Sequence, residues 1–171
     1  MTDRLDRLWA GWRSDYLTTL TGDATPIRPD ASGSLFERLL ALGDDDEALV
    51  VMRGAACSVI LNAFPYASGH LMVVPNRAVE NLGELTEDEH AELWRLVRDG
   101  VAAVRSAYGC GGVNVGANIG AAGGAGIPDH LHVHVVPRWQ GDTNFMTTVA
   151  GVRVLPEALD VSLQRVRAAW P

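Results

Sequence analysis

His130, His132 and His134 occupy alternate positions in His130-Leu131-His132-Val133-His134-Val135-Val136, so three of the five histidines of this 171-residue chain fall within five residues. Read as a strand, His130 to Val136 sends all three imidazoles to one face and Leu131, Val133 and Val135 to the other. Imidazole titrates near neutrality, ligates metals and attacks electrophiles, so a face given to three of them is costly unless it lines a site. A metal is the first possibility. Same-face residues repeat about every 6.6 Å, which puts the outer rings about 13 Å apart, whereas zinc needs each ligand nitrogen within about 2.1 Å. Two neighbours could share one zinc; three in a row could not easily converge. Further ligands would have to come from His70, Asp129 or Asp142, which follow no ligand spacing, so no metal site is expected. Nucleophilic catalysis fits better: one imidazole attacks while its neighbours fix its tautomer and bind the developing charge. A neutral nitrogen approaches phosphorus without anion repulsion, and a phospho-histidine splits one hard displacement into two.

Upstream, Asn118-Ile-Gly-Ala-Ala-Gly-Gly-Ala-Gly126 could cradle a phosphate through unobstructed backbone N–H groups, although glycine loops also simply turn. It is not a dinucleotide fingerprint, because Asp129 stands where a third glycine would follow Gly124 and Gly126. No G-x-S-x-G nucleophile elbow occurs either. All fourteen basic residues are Arg. The absence of Lys excludes a Schiff base, a Ser-Lys dyad and a P-loop lysine. A net charge of −7 argues against coating nucleic acid or binding a membrane through a polybasic patch; an anionic ligand must be held locally. Arg138, just past the triad, could steer such a ligand or pair with an acid such as Asp142. Trp139 could stack on a base or close a dimer. Cys57 and Cys110, in no C-x-x-C spacing, read as reduced, buried thiols of a cytoplasmic protein. The charged Met1 to Leu8 segment lacks a signal peptide's apolar region, and no apolar run approaches the roughly 20 residues that span a bilayer.

The elements that must position these residues are readable in outline. Residues 1–33 form an arm and loop, with Trp9, Trp12 and Tyr16 spaced for one helical face that docks on the core or a second subunit, or stacks on a ligand. Residues 34–171 form a single catalytic domain. Ser34-Leu-Phe-Glu37 is a capping box opening a helix from Leu35 to Leu42; Asp44 to Glu47 is a solvated turn. Ala48 to Arg53 and Cys57 to Asn62 suggest a hairpin, and Gly69 to Pro75 a third strand. A second capping box at Thr86 opens an amphipathic helix that runs to Tyr108 and stops at Gly109, burying Leu93, Leu96, Val97, Val101 and Val104; His90 is a partly exposed residue on it. Gly112 to Asn118, a glycine loop, precedes the histidine strand, and a last helix runs from Pro156 to Trp170. Hairpins, one helix and returning strands imply an α+β fold, mainly an antiparallel sheet with flanking helices.

At this point the residues carry a resemblance. His130-x-His132-x-His134 with apolar residues between, then Val135-Val136-Pro137-Arg138, resembles the signature of the histidine triad (HIT) family of nucleotide hydrolases and transferases. Leu61 to Pro75, with Asn62 eight positions before His70, is similar to the family's earlier strand pair. Gly116-Ala-Asn118, Ala125-Gly126-Ile-Pro-Asp129, Pro137 to Phe145 and the arm segment Leu8-Trp9-Ala-Gly-Trp12-Arg13 resemble the bacterial branch that includes diadenosine tetraphosphate phosphorylases.

The resemblance implies that His132 is the nucleophile and that His134 binds a non-bridging phosphate oxygen. His130 and His70 orient the rings, Asn62 binds ribose hydroxyls, and Asn118 lies where the glycine loop, with Gly126, meets the phosphates. The hydrolase-like branch carries a Gln and a Ser or Thr just before the triad. Here Gly126, Ile127 and Pro128 stand instead, so no hydroxyl contact to phosphate is expected. The implied protein is a homodimeric HIT enzyme that cleaves dinucleoside polyphosphates through a nucleotidyl-histidine, with phosphorolysis of diadenosine tetraphosphate to ADP and ATP favoured. Hydrolysis of such substrates or of nucleoside phosphoramidates, and a non-catalytic nucleotide-binding module, are the alternatives. No cofactor is required, though a divalent cation such as Mg could accompany the polyphosphate.

Overall fold

The computed structural model describes residues 33–142 and 157–171. Trp9, Trp12, Tyr16, Phe145 and the expected helix start at Pro156 lie outside them. In chain order the elements are α1 (Leu35–Leu40), β1 (Val50–Arg53), β2 (Cys57–Leu61), β3 (Leu71–Pro75), α2 (Glu87–Tyr108), β4 (Gly112–Ala117), β5 (Val133–Arg138) and α3 (Leu159–Ala168). Single 3-10 turns stand at Leu82–Glu84 and Ala121–Gly123. The strands form one sheet in the order β1-β2-β3-β5-β4, antiparallel throughout, which is the α+β architecture expected from the sequence.

Helix α2 follows from its sequence signals. Thr86 accepts the Glu89 N–H, the Glu89 carboxylate accepts the Thr86 N–H, and Gly109 ends the helix in the left-handed region at φ 57°. Leu93, Leu96, Val97, Ala103 and Val104 face one side of the sheet and form a core with Val59, Leu71, Val73, Val133, Val135 and two residues of α3, Leu163 and Val166. A Cβ on Gly100 would reach 3.4 Å from Leu71, so glycine there lets the helix lie close to the sheet. The opposite face is covered by α1 and the glycine loop, where Phe36, Val50, Ile60, Met72 and Val74 pack with Leu39, Leu40 and Ile127. With both faces covered, β2 and β3 are buried at every position, and their sequences run continuously apolar rather than alternating. Cys57 and Cys110 are buried free thiols.

Several element limits differ from the sequence reading by a few residues, and two of the differences bear on the site. The histidine strand begins at Val133, not His130, and continues through Pro137 to Arg138. Before Val133 the chain is tied differently: the Leu131 N–H donates to Val79 O at 2.6 Å, and Pro75 O is taken by a histidine side chain. Pro137 is tolerated because β3 pairs with β5 only over Val133, His134 and Val135, so no donor is needed on that side. Second, Gly112–Ala117 is the edge strand β4 and not a loop; its pairing with all six residues of β5 outweighs the low strand preference of its glycines.

Candidate active site

The three imidazoles share one side although the strand is shorter: Phe36 meets the rings of both His130 and His132, and His132 meets His134, while Val133 and Val135 pack in the core beneath α2. His130 and His132 are buried and His134 is half-buried. His132 Nδ1 lies 2.8 Å from the backbone oxygen of His130. A carbonyl only accepts, so Nδ1 carries the proton and Nε2 carries the lone pair. Burial lowers the pKa of His132, which keeps that lone pair available. The sheet thus presents a neutral imidazole nitrogen held in one tautomer, the state a nucleophile needs.

The tautomer of His134 is set from the other side. His70 Nδ1 accepts the Tyr66 N–H at 3.0 Å and lies 3.4 Å from Asn62 Nδ2, so the proton of His70 sits on Nε2. That Nε2 is 2.9 Å from His134 Nδ1, which must therefore accept, leaving His134 Nε2 as an N–H donor. His132 and His134 meet edge to face with ring centroids 5.0 Å apart. A lone pair and an N–H donor are adjacent on one face: one to attack, one to bind an anionic oxygen.

His130 is wholly buried. Its Nε2 donates to Pro75 O at 2.9 Å, and its Nδ1 lies 2.5 Å from Ser34 Oγ. Burial again lowers its pKa.

The remaining sequence candidates are distributed more widely. Asn62 is buried, with Oδ1 accepting the Phe64 N–H and Nδ2 directed to His70. Asn118 Nδ2 donates to Gly124 O at 3.4 Å and so braces the glycine loop. Within that loop the N–H groups of Gly123, Gly124 and Ala125 bond to Gly120 O and Ala121 O, so three amides are used by the turn itself. Gly126 follows them, next to Ile127, which packs under the site face. Arg138 forks onto Asp142 through two 2.6 Å contacts and reaches Asn114 Oδ1 at 2.9 Å. It lies on the histidine face, about 13 Å along the strand from His134. Trp139 meets Tyr108 edge-on at 6.1 Å at the end of α2, and His90 accepts from Trp94 on the exposed side of that helix.

Several participants carry no chemical signal in the sequence. Ser34 reads only as a helix cap, Pro75 as the end of a strand. Tyr66 stacks near His134 at 5.9 Å and Phe36 lies 5.4 Å from His132, contacts between segments far apart in the chain. Gly116, directly opposite His134 across β4 and β5, would place an added Cβ in open space and so leaves the floor beside His134 clear.

An antiparallel sheet with alternating imidazoles on one face and a fourth behind them defines a histidine-triad nucleotide-binding fold. Residues 44–141 match the HIT domain, and the chain belongs to the HIT family. It is 39% identical over 168 residues to an AP-4-A phosphorylase of Mycobacterium tuberculosis, covering 98% of this chain and 86% of that protein. It is 32% identical over 93 residues to the asymmetrical bis(5'-nucleosyl)-tetraphosphatase of Schizosaccharomyces pombe, covering 54% of this chain and 50% of the other. Among solved structures, a Hit-like protein of Bartonella henselae superposes with a TM-score of 0.60 at 25% identity, covering 71% of this chain and 85% of that one. Within the family, the chain falls in the branch resembling AP-4-A phosphorylases.

Proposed function

We propose that this protein cleaves diadenosine tetraphosphate by phosphorolysis, through an adenylyl group carried on His132. The observation that carries the reading is the bond from His132 Nδ1 to His130 O, which leaves Nε2 unprotonated. Nε2 attacks the α-phosphorus of one adenylyl group; the bond from that phosphorus to the bridging oxygen breaks, and ATP leaves. Inorganic phosphate then attacks the same phosphorus, the P–N bond breaks, and ADP leaves with His132 neutral again. His134 Nε2–H donates to a non-bridging oxygen as charge accumulates there. His70 and His130 hold the rings, Asn62 takes the ribose hydroxyls, and Asn118 and Gly126 border the phosphates; Arg138, engaged by Asp142 and Asn114, and Trp139, against Tyr108, are given no step. These steps use no cofactor, and a divalent cation such as Mg would come bound to the polyphosphate.

Phosphorolysis rather than hydrolysis is supported by the coverage of the AP-4-A phosphorylase relative, whose match runs over nearly the whole chain, whereas the tetraphosphatase match spans about half. The deciding experiment is incubation with diadenosine tetraphosphate with and without inorganic phosphate, resolving the products. ADP and ATP appearing only with phosphate supports the proposal. AMP and ATP in its absence makes the protein a hydrolase, and no cleavage in either condition sinks both.

We further infer a single catalytic domain over residues 34–171, preceded by the arm 1–33, acting as a cytoplasmic homodimer. Among the described residues β4 has a free outer edge, with Val115 and Ile119 exposed, which supports pairing with a second copy. Light scattering that reports a monomer at micromolar concentration would remove that inference. Among the described residues no helix is long and apolar enough to cross a membrane.

A further inference from the structure

We propose that Ser34, the residue that caps α1, is a positioning residue for the nucleophile, acting through His130. This rests on the assignment of His132 as nucleophile. Pro75 O can only accept, so His130 Nε2 carries the proton and His130 Nδ1 must accept. The group within reach is the Ser34 hydroxyl, 2.5 Å away, which donates its single proton there. The same oxygen still accepts the Glu37 N–H at 3.2 Å as a helix cap. One hydroxyl therefore serves both the helix and the triad.

What the hydroxyl fixes is a carbonyl. His130 is clamped at both ring nitrogens, and its own backbone oxygen is the acceptor that holds His132 in the Nδ1–H tautomer. Without Ser34 the buried Nδ1 has no donor, and the ring is free to turn or change tautomer to satisfy it. Either movement disturbs residue 130 and, through its carbonyl, the aim of His132 Nε2.

The first turn of α1 is built to keep Ser34 in place. Glu37 closes the cap on Ser34 N at 2.8 Å and accepts the Ala78 N–H at 3.0 Å, tying the helix to the segment beyond β3. Phe36, one residue from the helix start, meets the rings of both His130 and His132, with centroids 5.2 and 5.4 Å away. A serine whose only task was to cap a six-residue helix would have no need to be buried against an imidazole 96 positions away.

The test separates capping from donation. Glycine and aspartate both cap helices nearly as well as serine, but neither can donate to His130 Nδ1 at neutral pH. Ser34→Gly and Ser34→Asp are compared with wild type by circular dichroism, by steady-state kinetics with diadenosine tetraphosphate, and by nitrogen NMR of 15N-histidine-labelled protein. Expected in whichever variant folds is a kcat lower by about 10- to 100-fold, as for a slightly misplaced reacting group, with KM nearly unchanged and loss of the single Nδ1–H signature of His132. Imidazole spectra identical to wild type in a folded variant, or altered spectra with kcat unchanged, overturn the proposal. If wild type does not turn over the nucleotide, the functional reading fails while the NMR comparison still decides whether Ser34 sets the tautomers.

Discussion

His70 Nε2 lies 2.9 Å from His134 Nδ1, and the direction of that bond is dictated two residues deeper, where the Tyr66 N–H occupies the other nitrogen of His70. A backbone amide on the β2–β3 loop thereby decides which nitrogen of a β5 side chain is a donor. Replacing His70 by Ala leaves His134 Nδ1 without its donor, and its Nε2–H tautomer is no longer enforced. Steady-state kinetics should show kcat lower by about 10- to 100-fold, in line with the ~1–3 kcal/mol of one unsatisfied partially buried group. A His70→Ala enzyme within twofold of wild type would remove the relay from the mechanism.

His132→Asn removes the attacking nitrogen while keeping a side chain of similar polarity. Turnover should fall by about 10⁴-fold or more, as for other enzymes stripped of a nucleophile. Nucleotide affinity, measured by calorimetry, should stay close to wild type. Cleavage at an undiminished rate would exclude the covalent mechanism.

Burial holds His132 below the ordinary imidazole value of 6.5, so attack requires no deprotonation at neutral pH. The plot of kcat/KM against pH should be flat from about pH 8 to 6.5 and decline only below that; an acid limb centred above about 7 contradicts the assignment. The stability linkage has the same sign. Below 6.5 the unfolded chain takes up a proton that folded His132 refuses, so its contribution is complete above 6.5 and shrinks as the pH falls toward the lowered folded value. The urea-unfolding free energy of wild type relative to His132→Asn should therefore decrease between about pH 7 and 5.

A carboxylate acts at lower pH. The hydrogen bonds from Arg77, reinforced by the Thr86 N–H, hold Glu89 down at about 2 against an ordinary 4.5. Its contribution is present above 4.5 and is lost as the pH falls toward 2. An Arg77→Ala variant should unfold at a higher pH in an acid titration followed by circular dichroism; coincident curves would show that the pair contributes nothing.

Gly69 precedes His70 with φ +77°, and a Cβ there would fall 2.3 Å from the Tyr108 ring. Gly69→Ala combines left-handed strain of about 1–2 kcal/mol with that collision. The urea midpoint should drop and kcat with it, because the turn that delivers His70 must move. Gly116→Val offers a contrast: its Cβ meets nothing, so the fold should persist while the added bulk beside His134 raises KM. An unchanged KM would place the substrate elsewhere on the sheet.

Much of this was legible in the sequence for a local reason. Capping boxes at Ser34 and Thr86, the stop at Gly109 and the alternation from His130 to Val136 are written within a few residues of where they act. Period two alone decides that three imidazoles share a side. Strand limits were not local: β5 starts at Val133 because Pro75 and Val79 bind the chain before it, and the glycine-bearing segment from Gly112 is a strand because β5 lies beside it. The triad's residue types therefore follow from sequence, and so does the face they occupy. Which nitrogens of His130 and His134 hold a proton was decided only by tertiary structure, because the groups that settle it, Ser34, Pro75 and Tyr66 acting through His70, reach the triad through folding; the carbonyl that fixes His132 lies only two residues before it.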